Sequence, residues 1–485
     1  MNFSGELASR CGGSSRLVNV KTNEVNSDAG VLIARSAGFF VSLGLKPGER
    51  IIITCRLSPA SALAYLGAIY AGLVAVPIDA SNLSTDISAY IDLTGARAVW
   101  SETDDSPKLK IPPEVLYIHA NQATEGTVLA HPVPRAAADL AALMPTSGTT
   151  GRPRFVMVSH GNLLANTEAI VRSQRLGDGE TAMLILPISY CFGASVLHSH
   201  LYCGGSVVFD NRFMFPDKVL RSIAEYGCTT FAGVPSVYKI LLSRSSLSTI
   251  PMPSLRRAIQ AGGHLEWRHI EQFRDCLPDV PFYVMYGQTE ATARITCLEP
   301  ERLSDKKGSV GRALDNLKLR IVDDSGASLP ARQSGAIQVS GPSVCLGYWN
   351  DPEETRAKFD GSWLNTNDSG RMDEEGYVWI EGRNVDFLKV RGKRLSLGEI
   401  EQKVLCVQGV RDAAACVIPH DEAGEAPAVF VVPDKEVSHE ELASRIKTSL
   451  PPAWTCEMII IIDHLPLTDR GKLDRAALNL LLEEQ

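Results

Sequence analysis

A chain of 485 residues, 45% hydrophobic and 21% charged, has the composition of a globular protein with more than one domain. Its net charge of −8 excludes a nucleic-acid partner held by bulk electrostatics. Eleven scattered cysteines without a C-x-x-C pair fit reduced thiols in the cytoplasm rather than a disulfide framework or zinc site, and residues 1–19 show no apolar leader core.

In chain order, the pattern predicts a helix over 27–43, a turn at Lys46-Pro47-Gly48 and a strand over 50–54. The uncharged run 57–78 is long enough to span a membrane, but it contains Gly67, Gly72 and Pro77. It also ends in the β-branched string Val74-Ala75-Val76-Pro77-Ile78, so a helix stopping near Gly72 and a buried strand account for it, with no membrane span. Helices over 161–172 and 217–226 then alternate with strands over 182–186, 205–209 and 229–231, the pattern of α/β layers around a largely parallel sheet. From about Gly335 the texture changes to short strands at 336–340, 377–380 and 387–390. A helix over 397–405, opened by Ser396 with Glu399 in a capping-box position, precedes strands over 413–419 and 428–432 and an amphipathic helix over 439–450. The expectation is a large N-terminal α/β domain with layered sheets, residues 1–383, and a small mobile C-terminal α+β domain, residues 386–485.

The most informative stretch is Met144-Pro145-Thr146-Ser147-Gly148-Thr149-Thr150-Gly151-Arg152-Pro153-Arg154. Its hydroxyls and glycine N–H groups are short-range donors, and its arginines are cationic forks suited to phosphate oxygens. Ser, Thr and Gly are also ordinary loop residues. A P-loop is excluded, because no Lys-Ser/Thr follows Gly151. Further on, Tyr286-Gly287-Gln288-Thr289-Glu290 follows the strand-like 282–285 and so sits where open α/β sheets bind ligands. Thr366-Asn367-Asp368 offers a carboxylate suited to ribose hydroxyls, Gly382-Arg383 stands at the expected domain junction, and Gly471-Lys472 follows a turn near the C-terminus. Taken singly, each has a plain structural reading; a solvated charge is the usual fate of a lysine.

In this order and spacing the set resembles the adenylate-forming superfamily of acyl- and aryl-CoA synthetases, nonribosomal peptide synthetase adenylation domains and luciferases. The family's T-S-G-[S/T]-[S/T]-G-x-P-K loop is matched over 146–153 with Arg154 in place of Lys, and its Y-G-x-T-E motif over 286–290. Thr366-Asn367-Asp368 stands for T-G-D, Gly382-Arg383 for G-R, and Gly471-Lys472 for the terminal G-K. The segment from Arg391 to Glu401 corresponds to the family's R-G-x-R-[I/L]…E-[I/V]-E, and Gly72 to Asp79 to an earlier family string. The resemblance runs from about Asp28 to Arg475, nearly the whole chain.

It implies that Thr146, Ser147, Gly148, Thr149, Thr150 and Gly151, with Arg154, hold the phosphates of ATP. Tyr286, Gly287, Gly262 and Gly263 would line the adenine side, Thr289 would contact the α-phosphate, and Glu290 would bind Mg²⁺. Asp368 and Arg383 would hold the ribose. Lys472 would bridge the substrate carboxylate and the α-phosphate, with Lys472, Thr289 and Glu290 as the catalytic set. Tyr190, Cys191, Phe192 and Val234 would form the pocket for a small carboxylic acid. The Gly392 loop would line a channel for the pantetheine arm of CoA or of an acyl carrier protein.

Gly193 stands where amino-acid-activating relatives carry an Asp for the α-ammonium, which points to a plain acid. A hinge just after Gly382-Arg383 is implied, with Val385 where the family has Asp or Lys. A carrier-protein-loading enzyme shares the first step with a CoA ligase. A silent nucleotide-binding relative has no need of Lys472, Glu290 and Asp368 together.

Overall fold

Continuous apolar strands such as Arg50–Cys55, with Ile51, Ile52 and Ile53 wholly buried, need cover on both faces, and the chain supplies it by alternating strands with helices. The computed structural model describes residues 1–83, 87–103, 109–120, 126–146, 154–383, 387–390, 393–420, 424–434, 437–450, 458–468 and 473–483. The fold is mixed α/β, with a large N-terminal part of layered sheets and a smaller C-terminal part.

In the nine-stranded sheet, Phe282–Tyr286, Arg257–Gln260, Thr230–Gly233, Thr181–Leu184, Ser206–Phe209 and Arg16–Asn19 run parallel in that spatial order. Antiparallel strands flank them, Glu24–Ser27 at one edge and Thr296–Leu298 at the other, where Arg312–Ala313 follows. In the six-stranded sheet, Leu116–His119, Ala98–Ser101, Arg50–Cys55, Val74–Asp79 and Leu140–Thr146 are parallel, and Arg154–Ser159 closes the edge as an antiparallel partner of the last. A five-stranded sheet holds Lys318–Val322, Gly335–Ser340, Trp363–Met372, Phe359–Asp360 and Val378–Arg383.

The uncharged run resolves as expected into the helix Pro59–Tyr70 and the buried strand Val74–Asp79. Among the described residues no helix is long and apolar enough to cross a membrane. The helices expected at 27–43 and 161–172 are Ala29–Ser42 and His160–Ser173; the second begins with a reciprocal capping box between Ser159 and Asn162. Three further helices, Cys191–Tyr202, Pro235–Arg244 and Trp267–Cys276, lie between strands of the large sheet. The first is buried from Phe192 to Leu201 without interruption, so it has no polar stripe by which periodicity could reveal it.

The N-terminal residues also form elements that local pattern does not predict. Asn2 caps the helix Phe3–Arg10, and its amide donates to the carbonyls of Ile69, Tyr70 and Val133. These partners are distant in sequence and close only in the folded chain.

By contact density the chain divides into two units, Met1–Leu319 with Val339–Leu364, and Arg320–Gln338 with Asn365–Gln485. Within the second, Val410–His420 and Gly424–Pro433 pair antiparallel, and Met458–Ile461 adds a parallel strand. Side chains alternate across this sheet. Ala413, Ala415, Val429 and Val431 pack with Leu397, Ile400 and Val404 of the helix Leu397–Leu405, while Ala414, Cys416 and Phe430 pack with Leu478 of the helix Arg475–Glu483.

Three histidines in the first unit are buried and neutral. Burial lowers the pKa of His160 and His200 to about 4 and that of His198 to about 3. His160 Nδ1 accepts the Phe3 N–H, and the His198 ring lies stacked on Tyr65 with Phe3 edge-on to it. A pKa below the unfolded value of 6.5 means that the unfolded chain binds the proton more tightly. Stability from these groups is therefore complete above that pH and falls away toward pH 4, by up to ~1.4 kcal/mol per pH unit for each histidine. Thermal melts should show the midpoint dropping steadily between about pH 6.5 and 4.5, and His198→Phe should flatten the slope. A pH-independent midpoint in the parent chain would contradict this.

Candidate active site

Thr146 and Arg154 face each other as the last paired residues of the hairpin between Leu140–Thr146 and Arg154–Ser159. The Thr146 hydroxyl donates to the Arg154 carbonyl at 3.5 Å. The loop they bracket, with Ser147, Gly148, Thr149, Thr150 and Gly151, lies outside the described residues, as do Gly392, Lys472 and Val385. The Arg154 guanidinium is already engaged, 3.5 Å from Asp351 and 3.2 Å from Glu354, with the Tyr348 ring beneath it at 5.9 Å. The expected phosphate cation thus also anchors the hairpin.

Tyr286 ends the strand Phe282–Tyr286, and the chain turns at once into a 3₁₀ turn, Thr289–Ala291. Gly287 is required for packing: a Cβ there would lie 1.7 Å from the Ala293 carbonyl oxygen. Thr292 follows at φ 68°, a left-handed conformation that β-branched residues avoid, costing about 1–3 kcal/mol. Its hydroxyl donates to the Ser343 carbonyl at 2.6 Å, which fixes the turn.

Glu290 is held at two points. Its backbone carbonyl accepts the Cys345 N–H at 2.9 Å, and its carboxylate accepts the Tyr348 hydroxyl at 2.6 Å. Burial, then the neighbouring Glu290 charge, raises the Tyr348 pKa far above that of a free phenol, so this hydroxyl remains a donor. One oxygen is thereby fixed. Among the described residues there is no group of three or more His, Cys, Asp or Glu side chains that could hold a metal ion.

The expected acid pocket is partly assembled. Thr289 Oγ1 contacts Cys191 Sγ at 3.5 Å, and Cys191 begins the helix whose N-cap is Tyr190. Gly262, at φ 88°, leaves room beside Phe192 and Val234; an added Cβ would come 3.1 Å from Val234 Cγ1 and 4.0 Å from Phe192 Cδ1. Gly263 accepts a hydrogen bond from Gln260 Nε2 at 2.7 Å. At Gly193 a Cβ would lie 2.2 Å from the Pro187 carbonyl oxygen, so no Asp fits without moving the backbone.

In the second unit, Asp368 pairs in register with Arg383 across the strands Trp363–Met372 and Val378–Arg383. Asn367 replaces the family glycine at φ 61°, a conformation that Asn tolerates better than other side-chain-bearing residues, so the tight turn survives the substitution. The turn is fastened by Asn367 N–H to Asn365 Oδ1, Asp368 N–H to Thr366 Oγ1, and Thr366 Oγ1 to the Ile337 carbonyl.

Residues 28–349 match the model of the AMP-binding enzyme family, and residues 399–472 match that of the AMP-binding enzyme C-terminal domain. The chain is an AMP-binding enzyme. It is 32% identical over 335 residues to 2-succinylbenzoate–CoA ligase of Bacillus pumilus, covering 69% of this chain and 68% of that protein. Over 475 residues it is 27% identical to 4-coumarate–CoA ligase-like 6 of Arabidopsis thaliana, covering 92% and 84%. The ATP-bound structure of MatB from Rhodopseudomonas palustris superposes with a TM-score of 0.89 at 26% identity, covering 100% of this chain and 99% of that one. The enzyme is an AMP-forming ligase of the acyl-CoA synthetase kind.

Sequence reasoning missed the partners of these side chains: Tyr348 for Glu290, Asp351 and Glu354 for Arg154. The local signal is the string Gly347-Tyr348-Trp349 running into Pro352-Glu353-Glu354, an aromatic pair and a proline-started acidic turn. Tyr348→Phe removes only the donor to Glu290. It should lower kcat/KM for adenylate formation by about tenfold or more, since a hydrogen bond to a charged group contributes ~1.5–3 kcal/mol, and raise the Mg²⁺ concentration giving half activity. The melting temperature should stay near that of the parent. Unchanged kinetics would mean that Tyr348 only fills space.

Proposed function

We propose that the enzyme uses ATP to convert a small carboxylic acid into an acyl-adenylate with release of pyrophosphate, then transfers the acyl group to the thiol of CoA. The observation that carries this reading is Glu290, fixed by Tyr348 at a strand's C-terminal end, with Thr289 touching the pocket helix at Cys191. Two relatives bear CoA ligase names, which favours CoA as the acceptor.

A carboxylate is already nucleophilic at neutral pH, so its attack on the α-phosphorus needs no general base. The obstacle is repulsion between the acid and the polyphosphate. Mg²⁺ bound at Glu290 would supply charge neutralisation there. The chain's own contributions are the Thr146 hairpin with its loop donors, Arg154, and Lys472 bridging carboxylate and α-phosphate. Thr289 would orient the α-phosphate next to the acid pocket. Tyr286, Gly262 and Gly263 would enclose adenine, and Asp368 and Arg383 would hold the ribose. A turn of residues 386–485 after Gly382-Arg383 would then bring the Gly392 loop to the thiol.

Pyrophosphate release across a panel of acids, with and without CoA, tests the reading. Some aryl or acyl acid should exceed background clearly and yield a thioester only with CoA, while the twenty common amino acids stay at background because Gly193 leaves no place for an ammonium partner. Release with an amino acid, or none with any acid, would refute it. Lys472→Ala should lose adenylate formation by about a thousandfold or more yet still convert a supplied acyl-adenylate to thioester. Equal loss in both half-reactions would remove Lys472 from its assigned role.

A further inference from the structure

Arg294 lies four positions beyond Glu290 and is only 3% exposed. Its backbone is pinned by the buried Asn166, whose amide donates to the Arg294 carbonyl and accepts from its N–H. The guanidinium sits 4.1 Å over the Phe192 ring, and its Nε donates to Met285 Sδ at 3.2 Å. Burial lowers its pKa to about 10, which leaves it fully charged at neutral pH.

Among the described residues no carboxylate comes within ion-pair reach of this cation. The titratable groups that act on it electrostatically are the thiols of Cys191 and Cys297, and burial pushes that of Cys297 up to about 12, so it stays neutral. Other buried charges in the same unit are paired: Arg257 lies 2.6 Å from Glu180, and the buried Asp210 meets Arg212 at 2.8 Å. Contact with one phenyl face and a thioether returns less than the desolvation of a guanidinium costs. A counter-ion is therefore expected from a ligand.

The location indicates which ligand. Phe192, beneath the guanidinium, also borders Gly262 and Val234, and Cys191 beside it contacts Thr289. These residues form the acid pocket of the reading above, on which this inference rests. We propose that Arg294 is a specificity residue that binds a second carboxylate on the acid, so that the enzyme's substrates are dicarboxylic acids. Only one carboxylate reacts: its oxygen bonds to the α-phosphorus, the bond from that phosphorus to the β-bridging oxygen breaks, and pyrophosphate leaves with the electron pair. The second stays ionised against Arg294, and no proton moves.

The test compares chain-length-matched mono- and dicarboxylic acids, aliphatic and aromatic, with the parent enzyme, Arg294→Met and Arg294→Lys. Pyrophosphate release, acid-induced shifts in melting temperature without ATP, and affinity for a non-hydrolysable ATP analogue are each measured. The parent should favour some diacid over its matched monoacid by about a hundredfold in kcat/KM, because a site built for a polar group rejects the analogue lacking it. Arg294→Met, which removes an unpaired buried cation, should fold at least as stably, lose that preference mainly through KM, and keep its affinity for the ATP analogue. Arg294→Lys should retain part of the preference. If the parent prefers monoacids, if no diacid raises its melting temperature, or if Arg294→Met weakens the ATP analogue instead, the proposal fails. A diacid that stabilises the parent but not Arg294→Met, without pyrophosphate release, would uphold the Arg294 site while refuting the ligase reading.

Discussion

The segment 342–349 is the constraint on which the first unit's site residues depend. Leu346 and Gly347 exchange backbone hydrogen bonds with Met157, and Trp349 donates to Phe155, so the segment runs along the outer strand of the Thr146–Arg154 hairpin. Asn162, the capping-box partner of Ser159 in the first turn of the following helix, donates to the carbonyls of Pro342 and Val344. On its other side the same segment takes the Glu290 carbonyl, the Thr292 hydroxyl and the Glu290 carboxylate. The hairpin with its following helix and the Thr289–Ala291 turn come from two distant parts of the chain, yet one short stretch sets their spacing. Glu290 and the hairpin are thus positioned by the same backbone, the rigidity that electrostatic catalysis requires.

Charge is handled in two ways in this unit. Where a cation is structural it has a partner, as Arg257 has Glu180, which also accepts from Thr229. Arg154 joins Asp351 and Glu354 at partial exposure, where an ion pair contributes little energy and mainly fixes geometry. Arg294 differs in being desolvated without a carboxylate. The Phe192 face and the Met285 thioether offset its burial only in part, which is why a bound anion is the economical explanation.

Much of the fold was legible from pattern alone. The strand 50–54, the helix and strand within 57–78, the helix 397–405 and the strand 387–390 appear within a residue or a few of their expected places. Such elements have either a clear apolar period or a marked stop. The helix Cys191–Tyr202, buried on all sides, and the strand Arg16–Asn19, paired with Ser206–Phe209, have neither; their stability comes from neighbours far away in sequence. Asn367 shows the reverse case. It stands where the family motif has glycine, and its left-handed backbone is one that Asn can adopt.

By itself the sequence determined the family and the chemical inventory: hydroxyls and glycines at the hairpin, a carboxylate at the end of a strand, an Asp in a tight turn, a terminal lysine. Those residue types are dictated by local chemistry and recur at fixed spacing, so they can be read in one dimension. Only the tertiary structure decided what each group faces. That Tyr348 fixes Glu290, that Arg154 is shared with two carboxylates, and that Arg294 is desolvated beside Phe192 depend on contacts between residues far apart in the chain. Desolvation and hydrogen-bond partnership are properties of the packed environment, and no pattern along one chain encodes them directly.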